Sequence, residues 1–176
     1  MAALLKMLAF PYAMRETASM TCHIIASPIG AISISASADA LQSIDMVGQM
    51  EPSSPTDHPL LKEAERQLQA YFASDLKEFD LPLEPASTPR GNELRAAIVA
   101  IPYGEAASYG EVARRADSGP RAIGRVCSHN PLTLVVPCHR VIASGGKIGY
   151  YSGGEGIPTK RYLLMHENKE ASQWEA

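Results

Sequence analysis

A chain of 176 residues with 45% apolar and 20% charged side chains can bury a real core, in one ordinary domain or two small ones. No apolar run approaches the length that spans a bilayer, so no membrane segment is expected. The net charge of −3 hides an asymmetry: residues 1–86 hold 5 Lys/Arg against 11 Asp/Glu, whereas residues 87–166 hold 10 against 5. The basic second half is where a phosphate-binding face is expected. Cys22, Cys127 and Cys138 make an odd set with no Cys-x-x-Cys spacing, which argues against a disulfide framework and a zinc ribbon. Reduced thiols in a cytoplasmic setting are the expectation.

The opening MAALLKMLAFPYAM is mildly apolar, with Lys6 as its one basic residue, and makes a poor secretory signal. Residues 1–20 are expected to be an N-terminal extension without a fold of its own, with Met20 as an alternative start. Residues 21–47 read as antiparallel strands. Ala31-Ile32-Ser33-Ile34-Ser35-Ala36 alternates apolar and hydroxyl side chains at period two, as in a half-buried strand, and Pro28-Ile29-Gly30 supplies the turn before it. Leu41, Ile44 and Met46 suggest a further strand, and Glu51 to Pro59 a polar loop. From His58 to Phe72, the residues Leu60, Leu61, Ala64, Leu68, Tyr71 and Phe72 share one helical stripe. Residues 80–92, with Pro82, Pro85, Pro89 and Gly91, read as a linker, which places a first α/β lobe at 21–86.

The second lobe, 87–170, is expected to open with a helix from Asn92 to Ile101, closed by Pro102-Tyr103-Gly104. Ser108-Tyr109-Gly110-Glu111 has the form of a capping box and predicts a short helix to Ala116. Asp117-Ser118-Gly119 is a tight turn, and Pro120 suits the first turn of a second helix running to about His129. Two short helices across a glycine turn make a helix-turn-helix pattern. The second carries Arg121 and Arg125 with Ala122 and Gly124 between them, small residues that let a backbone approach DNA closely. A glycine in mid-helix is costly and calls for a packing or binding reason. Leu132 to Val136 reads as a short buried strand leading into Pro137-Cys138-His139-Arg140-Val141. Residues 171–176 are a tail.

Pro-Cys-His-Arg-Val resembles the acceptor motif of O6-alkylguanine-DNA alkyltransferases, the methylated-DNA–protein-cysteine methyltransferases. The flanking pieces match in order: Ile101-Pro102-Tyr103-Gly104-Glu105, Ser108-Tyr109, the Arg121 helix, Asn130-Pro131, Tyr151-Ser152-Gly153-Gly154, and Lys160 through Glu167. Together they cover roughly residues 80–167. The resemblance implies an α+β fold, with a small ribonuclease H-like antiparallel sheet and helix followed by a winged helix-turn-helix-like lobe. It also implies direct, irreversible transfer of an alkyl group from O6-alkylguanine to Cys138, with O4-alkylthymine as a second candidate substrate. Removing an alkyl group from guanine oxygen is displacement at saturated carbon, for which a soft thiolate is suited.

Further roles follow from the resemblance alone. His139 would take the thiol proton through a bridging water, since neighbours on an extended segment point apart, and Glu167 would orient His139. Tyr109 would donate to the guanine ring, and Ser152, flanked by Tyr151 and Gly153, would contact the O6 side. The backbone carbonyls of Cys138 and Val141 would read the guanine amino group. The target carbon lies inside stacked DNA, so the base must be flipped out, with Arg121 filling its place. The helix of Ala122, Gly124 and Arg125 would lie in the minor groove of double-stranded DNA. Asn130 would link that helix to the acceptor segment. No cofactor, no metal and a monomer are implied; Cys22, His23 and His58 do not assemble a zinc site.

The chain departs from the family pattern at Arg90, Gly91 and Arg95, where relatives carry aromatic and amide residues, which puts inter-lobe packing in doubt. Cys127 reads as a small core residue. Two other classes compete: a lesion-binding relative, which would lack the acceptor cysteine, and a thiol hydrolase with a Cys-His-Glu triad, whose nucleophile is usually set beside an oxyanion hole.

Overall fold

The computed structural model describes residues 21–53 and 55–168. The expected N-terminal extension and the 171–176 tail lie outside these residues. The first lobe is an antiparallel sheet of β1 (Thr21–Ile25), β2 (Ala31–Ala36) and β3 (Leu41–Gly48), in that order, with α1 (Pro59–Phe72) packed on it. The period-two pattern puts Ile32, Ile34 and Ala36 on the core face, all fully buried. The other face of β2 is more covered than simple alternation suggests. Ser35 is buried too, and its hydroxyl is satisfied at 2.8 Å by Ser43 on β3. The α1 stripe fills the space above the sheet with Leu61, Ala64, Leu68 and Tyr71.

The second lobe contains α2 (Pro89–Val99), α3 (Tyr109–Arg115), α4 (Pro120–Ser128) and α5 (Ile157–Glu167). A short parallel pair joins β4 (Ala107–Ser108) to β5 (Val141–Ile142). Ser108 caps α3 as its sequence promises: its hydroxyl accepts from Glu111 N at 3.2 Å, and Glu111 accepts from Ser108 N at 2.7 Å. The turn to α4 runs through Asp117 at φ 46°, a left-handed conformation that aspartate tolerates better than most residues.

Three sequence expectations change. First, α2 begins at Pro89 and not Asn92, because Thr88 caps it by accepting from Gly91 N at 3.0 Å and proline is tolerated at the first helical position. The supposed linker therefore ends at Thr88, and its Leu83 bridges to Leu41 of β3. Second, Leu132–Val136 is a buried turn, not a strand. Val135 N donates to Thr133 O, Val136 N donates to Leu132 O, and Leu134 has φ 71°. A short apolar run reports burial but not conformation. Third, Cys138–Arg140 form one turn of 3-10 helix, so the segment that carries the motif is not extended.

The departures at Arg90 and Arg95 each tie α2 to a neighbouring segment. Arg90 donates to the Ala116 and Asp117 carbonyls at 2.7 and 2.6 Å, tying the start of α2 to the end of α3. Arg95 donates to Glu84 O at 2.6 Å. The lobes are also joined where Leu132 bridges to Ile44, the Thr133 hydroxyl donates to Ile44 O, and Tyr71 reaches Glu167. Among the described residues no helix is long and apolar enough to cross a membrane.

Candidate active site

Cys138 sits at the start of the 3-10 turn, 2% exposed, and lines a cleft. Tyr109 from the head of α3, Gly124, Cys127 and Ser128 from α4, and Tyr150, Tyr151 and Ser152 from the loop before α5 complete its walls. Asn130 fixes the sulfur from behind. Its Nδ2 donates to Val136 O at 2.9 Å and to Cys138 Sγ at 3.3 Å, while its Oδ1 accepts from Leu132 N at 3.1 Å. One side chain thus connects the end of α4, the buried turn and Cys138.

His139 points away from the cleft. Its Nε2 meets Glu167 Oε1 at 2.7 Å, and the ring is completely buried. With the Nε2 proton directed at a carboxylate, Nδ1 is left as the proton-accepting atom, and it has no hydrogen-bond partner in the structure. Glu167 is the hub of the site. Besides His139, Oε1 accepts from Tyr71 at 2.8 Å and Arg140 Nη2 at 3.1 Å, while Oε2 accepts from Arg140 Nε at 2.8 Å and Gly104 N at 3.1 Å. Gly104 can take this place because it adopts φ 79°, and a Cβ there would lie 3.1 Å from Glu167 O.

Burial alone would raise the Glu167 carboxyl, but the hydrogen bonds and charges of His139 and Arg140 outweigh it and hold the group well below the carboxylate range. Burial pushes His139 down, against the pull of Glu167, and the positive charges of Arg140 and Lys160 push the same way. The resting pair is therefore neutral imidazole beside carboxylate. Burial also pushes the Cys138 thiol up, opposed by the Asn130 hydrogen bond and the Lys160 charge, so the resting sulfur keeps its proton. Tyr109 is pushed up to about 12, mainly by burial and then by Cys127 and Cys138, and stays a donor.

Arg121 and Arg125 are exposed on α4, and Ala122 and Gly124 are half-buried. A Cβ on Gly124 would meet nothing within 4 Å, so no contact inside the protein demands a glycine there. Gly153 is different: a Cβ would crowd the Tyr151 ring at 2.9–3.1 Å, so the missing side chain lets Tyr151 fold under the loop. Ser152 is exposed at the cleft. The Cys138 and Val141 carbonyls each already accept one bond, from Val141 N and from Lys160 Nζ at 2.6 Å, and each keeps a second lone pair.

Sequence reasoning assigned no role to Arg140, Lys160 or Tyr71. Arg140 lies inside the motif but is buried against Glu167 and Ile101 O. Lys160 is fully buried, with its ammonium on the Val141 and Tyr150 carbonyls, and burial pulls it down to about 8 against the opposing effect of Cys138 and Cys127. A lysine on a helix ordinarily reads as solvated, and a tyrosine on an apolar stripe as core, so no local signal marked either. Among the described residues, no three His, Cys, Asp or Glu side chains converge as a metal site, and His23 instead meets Glu65 at 3.0 Å.

The fold and site define a two-lobed thiol protein whose buried cysteine stands behind a helix-turn-helix pair. Residues 20–85 match the family model described as the ribonuclease-like domain of 6-O-methylguanine DNA methyltransferase, and residues 91–169 match its DNA binding domain. The methylated-DNA–protein-cysteine methyltransferase of Mycobacterium tuberculosis is 40% identical over 153 residues, covering 84% of this chain and 92% of the relative. That of Methanosarcina acetivorans is 38% identical over 151 residues, covering 82% and 96%. A crystal structure of Mycobacterium tuberculosis OGT in complex with DNA superposes with a TM-score of 0.73 at 38% identity, covering 87% of this chain and 96% of that one. The chain belongs to the methylated-DNA–protein-cysteine methyltransferase family.

Proposed function

We propose that this protein repairs O6-alkylguanine in double-stranded DNA by moving the alkyl group irreversibly onto Cys138. The observation that carries the reading is a nearly buried thiol lining a cleft walled by α4 and Tyr109, followed in the chain by His139, which is paired with Glu167. In this reading α4 enters the minor groove, and Arg121 replaces a base flipped into the cleft. The open space over Gly124 admits the incoming nucleotide. Arg125, exposed one turn on, contacts phosphate.

Transfer begins with loss of the thiol proton through a bridging water to Nδ1 of His139, whose charged form Glu167 stabilises. The thiolate attacks the alkyl carbon, a C–S bond forms as the C–O6 bond breaks, and the electron pair leaves on guanine. Tyr109, kept protonated by its burial, donates a hydrogen bond to the guanine ring as the charge develops, and the proton taken up by His139 is returned through water to the released guanine. Ser152 and the backbone beside Tyr151 and Gly153 hold the O6 side, and the free lone pairs on the Cys138 and Val141 carbonyls read the amino group. Because the acceptor is part of the chain, no cofactor is needed, and a monomer suffices. A free acceptor thiol needs a reducing compartment, here the cytoplasm.

Incubation with a duplex carrying methyl-labelled O6-methylguanine tests this. Label should plateau at one methyl per chain and be recovered on the Cys138 peptide. Repeated turnover would indicate a hydrolase, and binding without label a lesion-recognition protein. Arg121→Ala should slow repair of the duplex strongly, yet barely affect reaction with free O6-benzylguanine, where nothing is flipped. Equal losses on both substrates would assign Arg121 to the fold.

A further inference from the structure

We infer that Tyr71, a residue of the first lobe, is a positioning residue for the His139–Glu167 pair: by donating to the oxygen that also receives His139, it limits how strongly Glu167 holds the imidazole. Tyr71 lies on α1, 96 residues from Glu167 in sequence, and is fully buried. Its hydroxyl is 2.8 Å from Glu167 Oε1, His139 Nε2 is 2.7 Å from the same oxygen, and Arg140 Nη2 is 3.1 Å away. Three donors draw on one oxygen, so each weakens the hold available to the others.

The ring cannot swing away. Phe72, Phe79, Tyr103 and His166 surround it with centroids 5.1–6.1 Å distant, and His166 Nε2 meets the Tyr71 carbonyl at 2.8 Å. A buried phenol needs an acceptor, but any backbone carbonyl would satisfy it. Here it takes a share of the one carboxylate that backs the proposed base. The other titratable groups facing the pair are Arg140, which is cationic throughout, Lys160, which is cationic below about 8, and Cys138, Tyr103 and Tyr151, which are neutral. Removing the Tyr71 hydroxyl leaves their charges in place and returns electron density on Oε1 to His139. The imidazole then becomes more basic and is protonated over a wider pH range, in a form that cannot accept the thiol proton.

This inference rests on the reading of His139 as the proton acceptor. The test is Tyr71→Phe, which keeps the ring and its packing, assayed by single-turnover transfer from a labelled O6-methylguanine duplex between pH 5 and 9. The acid-limb midpoint should rise by about 0.5–1 unit, with a roughly 3–10-fold loss of rate below it and a high-pH plateau within about twofold of wild type. An unchanged midpoint overturns the inference, whatever happens to the plateau or the melting temperature, because lost packing would lower the rate at every pH alike. His139→Gln separates the two readings. If that variant retains the wild-type acid limb, the proton-acceptor assignment fails. The Tyr71 contact is then judged by the NMR titration of the His139 ring in the otherwise unaltered protein, which must move upward in Tyr71→Phe for the inference to stand.

Discussion

Replacing Cys138 by alanine is expected to abolish alkyl transfer completely while leaving affinity for DNA nearly unchanged. Neither Cys22 nor Cys127 can stand in for it. Cys22 is exposed on the first lobe, and Cys127, though on the cleft wall, is pushed up mainly by burial, which remains in the variant and suppresses its thiolate. Binding survives because contacts to phosphate supply much of the affinity, and exposed Arg121 and Arg125 are untouched. The fold survives too. Asn130 keeps its bond to Val136 O when the sulfur is removed, and the stability loss should stay near 1 kcal/mol, the centre of the range for point variants. Labelled-methyl transfer and a salt-matched binding titration on the same preparation check both halves. Retained transfer, or label on Cys22 or Cys127, would remove Cys138 as the acceptor.

Glu167→Ala is expected to cost more stability than any other single change at the site. The carboxylate is the anionic partner of Arg140 and receives Tyr71, His139 and Gly104 as well, all with little access to water. Without it Arg140 keeps only the Ile101 carbonyl at 2.7 Å as a neutral acceptor. Removing one partner of a buried ion pair typically costs about 3–5 kcal/mol, and for a chain of this size that lowers the melting temperature by roughly 6–20 °C. The pH dependence carries a matching sign. Glu167 is held below the carboxylate range in the folded protein, so its contribution is complete above its ordinary value and is lost as the pH falls through the folded one. His139 is likewise depressed, so acid favours the unfolded chain from about pH 6.5 downward. Thermal melts of wild type and Glu167→Ala across pH 3–8 should therefore converge toward the acid end. Parallel curves would show that Glu167 does not ionise as described.

The residues whose partners lie a few positions away could be read directly. The Ser108–Glu111 capping box, the alternation in β2 and the α1 stripe are set by neighbours two to four residues apart, and chain order alone specifies them. The Pro137–Val141 motif likewise singles out Cys138, which the structure places on the cleft wall. Leu132–Val136 was misread because an apolar run is equally at home in a buried strand and a buried turn, and only the bonds of Val135 and Val136 to nearby carbonyls choose between them. Arg140, Lys160 and Tyr71 could not be placed from sequence at all. Their significance lies in the atoms they face, and Glu167 gathers donors 27, 28, 63 and 96 residues away. Local order determined which elements form and where the thiol stands. Which groups surround that thiol was decided only when segments distant in sequence packed together, because a buried carboxylate must collect its donors from whatever the fold brings within about 3 Å.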